Sequence, residues 1–227
     1  MTFSISARCA RTGEIGIAVS SSSPAVAARC AHARAGVGAV ATQNITDPTL
    51  GPGGLDLLAA GLSAEAALAR LTASAKHVEY RQLALVDAHG GTAAFSGAHT
   101  LGTHTTAQGP GVVAAGNLLR TRDVPAAMVA AFLAAPALPL GSRLIAAMQA
   151  AVAAGGEEGP VHSAGMLVVR EVAWPVADLR VDWHETDPIG ALADLWSLWQ
   201  PQMDAYVTRA LNPAGAPSYG VPGDQKT

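Results

Sequence analysis

The chain has 227 residues, of which half are hydrophobic and only 4% aromatic, and its formal net charge is −3. This length suits a domain with a sizeable core, built here mainly from Ala, Val and Leu. The charge balance and the lack of a basic cluster argue against nucleic acid or an anionic membrane as the main partner. Two cysteines are too few for a disulfide framework, and no signal peptide or membrane-spanning stretch is recognisable. We therefore expect a soluble cytoplasmic protein.

The first residues of the chain, 2–8, alternate between apolar and polar side chains. Phe3, Ile5 and Ala7 fall on one side, which predicts a strand with one buried apolar face. A turn at 11–13 precedes a second apolar run at 14–20, so the two strands are predicted to form a hairpin.

Beyond this hairpin, pairs of helices are predicted between blocks of strands. The predicted elements are, in order, a loop or short helix at 20–35, a strand at 36–43, a loop at 47–54, helices at 55–60 and from 63, strands at 81–87, 91–96 and 112–115, helices at 123–134 and 141–154, strands at 163–172 and 176–181, and a helix from 188 to Pro201. Paired helices between hairpins do not fit a βαβ parallel sheet. The order predicts an α+β fold, a four-layer αββα sandwich of antiparallel sheets. We expect a single domain over residues 1–211 and a disordered tail over residues 212–227.

Thr2 is the first candidate for catalysis. An initiator methionine is normally removed before a small residue, so the mature chain is expected to begin at Thr2. The threonine hydroxyl would then lie within reach of its own α-amine, which can act as its base. The reference pKa of such an amine, about 7.7–8.0, leaves a useful neutral fraction near pH 7. Many proteins begin with Met-Thr and make no use of the threonine, so other features must support this interpretation.

Other motifs in the chain give weaker signals. Residues 36–41 match the dinucleotide pattern G-x-G-x-x-A, but the strand before and the helix after it are missing, so no cofactor is predicted. His99, His104 and His184 do not supply the spacing of a tetrahedral metal site, so no metal is predicted.

Further groups could take part in nucleophilic catalysis. The serines at 20–23 and Cys30 are alternative nucleophiles, although such a serine run is more often just a polar loop, and His32, two residues after Cys30, would not face it on a helix. Gly116 and Asn117 follow a strand, where a main-chain N–H and a side-chain amide could donate to a developing oxyanion. A simple turn closing the strand is the alternative interpretation.

Taken together, these residues resemble the DUF1028 family, which is assigned to the Ntn-hydrolase (N-terminal nucleophile) superfamily. The segments that carry the resemblance are Met1-Thr2-Phe3-Ser4-Ile5, residues 12–19 and 34–43, Gly51-Pro52 before residues 61–65, Gly116-Asn117-Leu118-Leu119, Ser163-Ala164 and residues 178–182. The chain departs from the family where Gly-Glu-Glu-Gly at 156–159 replaces Gly-Asp-x-Arg-Gly, and where Ala115 replaces a glutamine before Gly116. These departures indicate a different substrate pocket or a subgroup with its own chemistry.

The resemblance implies an αββα sandwich, with amide hydrolysis as the usual reaction. Carried over by position, Thr2 is the nucleophile, its amine is the base, and Gly116 and Asn117 are candidate oxyanion donors. Ser20 and Ser21 would lie beside Thr2 because their strand pairs with the first one. The candidate substrate-binding residues are Ser20, Ser21, Arg34, Gln43 and His104.

The sequence thus favours an N-terminal-threonine amidohydrolase that cleaves a small amide or peptide-like substrate through an acyl-enzyme. Two alternatives stay open. One is a non-catalytic protein of the same fold that binds a small ligand or serves as an oligomer, and the other is a hydrolase that uses Cys30 or a serine of residues 20–23. We also expect a homo-oligomer, for which Trp196 and Trp199 are candidate contact residues, although core packing explains them equally well.

Overall fold

The computed structural model describes residues 1–224, so the last three residues of the predicted tail lie outside the described range. The strands are β1 Thr2–Arg8, β2 Ile15–Ser21, β3 Ala31–Arg34, β4 Gly38–Asn44, β5 Arg81–Asp87, β6 Thr92–Ser96, β7 Thr105–Gly109, β8 Val112–Asn117, β9 Ser163–Val169 and β10 Ala177–Val181. The α-helices are α1 Ala27–Cys30, α2 Leu50–Ala59, α3 Ala64–Ser74, α4 Val124–Ala134, α5 Leu140–Ala153, α6 Pro188–Trp199 and α7 Met203–Leu211.

The strands form two antiparallel sheets. The larger has the order β10-β9-β2-β1-β8-β7 and the smaller the order β3-β4-β5-β6. β1 is an interior strand of the larger sheet, paired with β2 on one side and β8 on the other. The predicted hairpin of the first two strands is confirmed.

Three hydrophobic cores separate the layers. The outer face of the larger sheet packs against α4, α5 and α6, and the outer face of the smaller sheet packs against α2 and α3. The core between the sheets is built from small and β-branched side chains of β2, β4, β5, β8 and β9, which lets the sheets approach closely. The predicted α+β sandwich of antiparallel sheets is confirmed.

The two faces of β1 differ in polarity. Phe3, Ile5 and Ala7 belong to the core beneath the helices, as the alternation predicts. Its other residues, Ser4 and Ser6 among them, are polar and face the smaller sheet, where both serines are completely buried. The strand that begins at Thr2 therefore carries a polar stripe into the interface between the two sheets.

Helix α2 begins earlier than predicted. The Gly- and Pro-rich stretch at 47–54 was expected to be a loop, but the helix starts at Leu50 and includes most of it. Pro52 is tolerated because it lies in the first turn, where its missing N–H would have no helical partner. A Cβ on Gly51 would lie 2.1 Å from the His32 ring, and one on Gly54 would lie 3.1 Å from Val40. The glycines are therefore explained by close packing of the helix on the sheet.

Other elements also differ from the sequence pattern. β7 was not predicted, since its residues Thr-Thr-Ala-Gln-Gly are mostly polar, and its place at the sheet edge explains this composition. A second helix, α7, follows Pro201, and a 3-10 turn follows α7. The limits of the domain and the disorder of the tail stay predictions.

The tryptophans of α6 lie against the protein itself. The Trp196 side chain is buried and donates to the Ser142 hydroxyl over 2.9 Å, and Trp199 donates to the carbonyl of Val176. Core packing therefore accounts for both, and homo-oligomerisation stays a prediction. Among residues 1–224, no helix combines the length and the apolar character needed to cross a bilayer.

The polar stripe of β1 gives a matched pair of stability predictions. Ser4→Ala removes the 2.6 Å hydrogen bond from Ser4 Oγ to Gln43 Oε1 and leaves that buried oxygen without a donor. We expect the free energy of unfolding to fall by about 1–3 kcal/mol. Ser6→Ala removes a buried hydroxyl that has no partner in the described residues. We therefore expect the free energy of unfolding of this variant to be unchanged or slightly higher. Urea denaturation of wild type and both variants measures these free energies. Equal losses of stability in the two variants would contradict the prediction.

Candidate active site

Thr2 lies at the end of the sandwich, at the first position of β1. It pairs with Asn117 of β8, and its side chain is 6% exposed. Its Oγ1 is 3.5 Å from the hydroxyl oxygen of Ser21, the last residue of β2. The carbonyl oxygen of Met1 accepts hydrogen bonds from the Thr2 and Ser21 hydroxyls. Two hydroxyl groups from neighbouring strands therefore converge on one carbonyl at this point.

A chain of buried amide side chains lies behind Thr2. Ser4 donates to Gln43, Gln43 donates to Gln82 over 2.7 Å, and Asn117 donates to the same oxygen of Gln82 over 3.0 Å. These four side chains are fully buried and connect β1, β4, β5 and β8. The network holds the Asn117 amide in one orientation beside Thr2.

Gln82 is the centre of this network. Its oxygen accepts two hydrogen bonds, and its nitrogen donates to the Ser96 hydroxyl and to the carbonyl of Gly116, each over 3.0 Å. All four hydrogen-bonding positions of the amide are thus used. Gln82 has little signal in the sequence. Its signal was a lone polar residue at the start of an apolar strand, which also describes an ordinary strand end.

Two buried oxygen atoms near Thr2 have no hydrogen-bond partner within the described residues: Asn117 Oδ1 and Glu157 Oε1. Buried polar atoms in folded proteins are nearly always paired. The two oxygen atoms lie near a strand end, beside a cluster of hydroxyl groups. We therefore expect an N–H or O–H group of a ligand to bind there.

The Glu157 carboxyl is the most perturbed acidic group at the site. It is 2% exposed, and its Oε2 accepts a 3.3 Å hydrogen bond from the backbone N–H of Ser22. Burial raises the pKa of Glu157 to about 8, while the nearby amino group of Met1 and the Ser22 hydrogen bonds counteract part of this effect. In the sequence, Glu157 stands out only as part of a segment that departs from the family pattern.

The backbone next to Asn117 is strained. Leu118 has a φ of +50°, a left-handed conformation that is unfavourable for a residue with a branched side chain. Two 3.0 Å hydrogen bonds hold it there, one from its N–H to the carbonyl of Leu101 and one from the Glu158 N–H to its own carbonyl. The strain thus lies one residue beyond Asn117, at the point where β8 ends and the chain turns toward Glu157.

The structure brings only some of the predicted substrate-binding residues to Thr2. Ser21 contacts Thr2, and Gln43 reaches it through the buried network. Ser20 pairs with Phe3, whose side chain faces the helices, and the Ser20 hydroxyl donates to the carbonyl of Ser163. Ser20 therefore lies on the opposite face of the sheet from Thr2.

Arg34 lies at the far end of the smaller sheet. It pairs with Gly38, five residues along β4 from Gln43, a separation of about 16 Å in a strand. Its guanidinium forms a 2.9 Å ion pair with Asp56. The structure therefore does not place Arg34 beside Thr2.

His104 lies closer to the site. It precedes β7, in which Thr105 pairs with Gly116, and so it stands two strands from Thr2, at about 10 Å. The Nδ1 atom of His104 is 2.9 Å from the carbonyl oxygen of Gly102. A groove of about 560 Å³ adjoins it, lined by Gly102, Thr103, His104, Arg120, Thr121 and Arg122.

The alternative nucleophiles have other surroundings. Cys30 is buried, and burial raises the pKa of its thiol, which makes the thiolate scarce. Ser23 Oγ lies 2.9 Å from Ser21 Oγ and accepts from Arg29, so it belongs to the same hydroxyl cluster as Thr2. In the part of the chain that the structure describes, no cluster of three or more His, Cys, Asp or Glu side chains is arranged to hold a metal ion.

Comparison with known proteins identifies a family of unknown function and a solved structure assigned to it. Residues 2–192 match the model of DUF1028, described as a family of unknown function. A crystal structure of the protein SPO2555 from Silicibacter pomeroyi, assigned to the same family model, superimposes with a TM-score of 0.81 at 34% sequence identity. The match covers 87% of this chain and 88% of that chain. No curated protein matches the sequence.

The buried carboxyl of Glu157 predicts a specific pH dependence of stability. The unfolded chain releases the Glu157 proton near pH 4.5, whereas the folded chain keeps it to about pH 8. The folded state binds more protons in this window, so its stability falls as the pH rises. Between about pH 5.5 and 7.5 we expect the free energy of unfolding of wild type to fall by about 2 kcal/mol more than that of Glu157→Gln, whose side chain cannot ionise. Urea denaturation of both proteins tests this, and parallel pH profiles would contradict it.

Proposed function

The chain belongs to the DUF1028 family, and we propose that it is an amidohydrolase that uses Thr2 as an N-terminal nucleophile on a small amide or peptide-like substrate. In this proposal the fold is of the Ntn-hydrolase type, and Met1 is removed to free the α-amine of Thr2. No cofactor is needed. We further propose that the protein acts in the cytoplasm as a homo-oligomer, without nucleic acid or membrane as a partner.

One observation carries the proposal: the Thr2 hydroxyl stands at the start of an interior strand, beside Ser21 and directly opposite Asn117. A nucleophile needs a neighbouring base and donors that can meet the developing negative charge. Removal of Met1 would supply the base on Thr2 itself, and the two neighbours carry the donors. No other hydroxyl in the site has a main-chain nitrogen that becomes free in this way.

The proposed reaction begins with attack of Thr2 Oγ1 on the carbonyl carbon of the substrate amide. The α-amine takes the hydroxyl proton as the C–O bond forms, and returns it to the leaving nitrogen as the C–N bond breaks. The product at this stage is an ester on Thr2. A water molecule, deprotonated by the same amine, then hydrolyses the ester and regenerates the threonine hydroxyl.

Ser21 and Asn117 are the proposed oxyanion donors. In the structure the Ser21 hydroxyl already donates to the carbonyl that is bonded to the Thr2 nitrogen. Asn117 uses one N–H on Gln82, and we assign the second hydrogen of the same amide nitrogen to the oxyanion. Gly116 contributes by position: its carbonyl is held by Gln82, which fixes the strand end on which Asn117 lies.

The test combines mass measurement with variants of Thr2. Purified wild-type protein is expected to lack Met1, and a panel of small amides and arylamides is expected to contain a substrate. Thr2→Ala should lower kcat/KM for this substrate by at least about 10³-fold, because it removes the bond-forming atom. Thr2→Ser should keep part of the activity.

Thr12→Ala, on the exposed turn between β1 and β2, is the control and should behave as wild type. Full activity of Thr2→Ala would refute the mechanism. Full activity of a protein that keeps Met1 would also refute it, because Thr2 would then have no free amine.

A further inference from the structure

Glu157 is a buried acidic side chain that the proposed reaction does not use. It is held in place where Leu119 and Glu157 form an isolated antiparallel bridge, next to the end of β8. One carboxylate oxygen accepts from Ser22, and the other has no partner among the described residues. Burial without a charged partner raises the pKa of this carboxyl to about 8, and a cation bound at the unused oxygen would lower that pKa and favour the carboxylate.

No positively charged side chain of the described residues forms an ion pair with Glu157. Two arginines that contact residues neighbouring Ser22 or Glu157 in the sequence are engaged elsewhere. Arg29 donates to the carbonyls of Pro24 and Ala25 and to Ser23, and Arg120 donates to the carbonyl of Glu158. A cation that pairs with Glu157 must therefore come from a main-chain amine or from a ligand.

Met1 shows what kind of group fits in front of Thr2. It is an α-aminoacyl group bonded to the nitrogen of Thr2, and Ser21 donates to its carbonyl. Its side chain lies against Gly159, where an added Cβ would come within 3.1 Å of the Met1 Cε atom. Its amino group lies close enough to Glu157 to influence the carboxyl electrostatically. An aminoacyl group bonded to Thr2 thus brings its amino group into the neighbourhood of Glu157, although the described residues include no ion pair between the two.

Building on the proposed function, we propose that the substrate is an aminoacyl amide whose free α-ammonium group is bound by Glu157. Thr2 Oγ1 then bonds to the carbonyl carbon of this amino acid, the C–N bond to the leaving amine breaks, and that amine departs with a proton. Water hydrolyses the ester and releases the free amino acid. Because Gly159 leaves room for a side chain such as that of Met1, unbranched or apolar amino acids are the expected acyl groups.

This assignment separates two roles that Glu157 could have. If the carboxylate binds the substrate ammonium, its loss harms only substrates with a free amine. If it instead holds the amine of Thr2, its loss harms every amide substrate alike. A pair of substrates that differ only in this amine therefore distinguishes the roles.

The experiment compares L-methionine p-nitroanilide with N-acetyl-L-methionine p-nitroanilide on wild type and on two variants, Glu157→Gln and Glu158→Gln. Glu158 is the exposed neighbour and serves as the matched control. Wild type should prefer the free amine by at least about 100-fold in kcat/KM, because a site built for a polar group rejects an analogue that cannot pair with it. Glu157→Gln should lose most of this preference, mainly through KM, and Glu158→Gln should keep it.

Equal cleavage of both anilides by wild type would overturn the assignment while leaving the Thr2 mechanism in place. An equal loss on both substrates in Glu157→Gln would overturn it as well. Cleavage of neither anilide would also overturn it, and the wider amide panel with Thr2→Ala would then decide separately on the Thr2 mechanism. The comparison of two substrates on wild type does not depend on the folding of any variant.

Discussion

The hydrogen-bonded chain from Ser4 through Gln43 and Gln82 to Asn117 is the interaction on which the candidate site depends. It crosses the interface between the two sheets, where the surrounding core is apolar. In such surroundings a polar group is tolerated only when its hydrogen-bonding capacity is used, and Gln82 uses all of its own. The network therefore fixes both the spacing of the sheets at this end and the orientation of Asn117 beside Thr2.

Much of the fold is predictable from the sequence because its strongest patterns are local. The alternation in β1 gives its buried face, and the order of hairpins and paired helices gives the stacked sheets. The errors have physical causes. Residues 50–54 form the first turn of α2 although their composition is typical of a loop, because glycine is needed where the helix approaches His32 and Val40. The polar edge strand β7 has no apolar period to reveal it.

The candidate site is less predictable, because its members are distant in sequence. Thr2 and Asn117 stand out as a strand start and a strand end, and the hairpin register places Ser21 beside Thr2. Gln82 and Glu157 do not stand out, since only the pairing of β5 with β4 and the turn after Leu118 bring them to this place. Arg34 is the opposite case. It belongs to a segment that carries the family resemblance, but it lies at the end of the smaller sheet that is far from Thr2. The spacing of residues in the sequence does not indicate which strand ends of the two sheets lie together at Thr2.

In the proposed mechanism the Thr2 hydroxyl oxygen forms the ester bond of the acyl-enzyme, and covalent labelling would identify the residue that forms it. The protein would be treated with a β-lactone, which acylates activated hydroxyl and thiol groups, and the modified residue located by peptide mass mapping. We expect one acyl ester on Thr2, in a peptide that begins with Thr2, and we expect hydroxylamine to remove the acyl group. Labelling of Cys30 or of a serine at 20–23, with Thr2 unmodified, would contradict it.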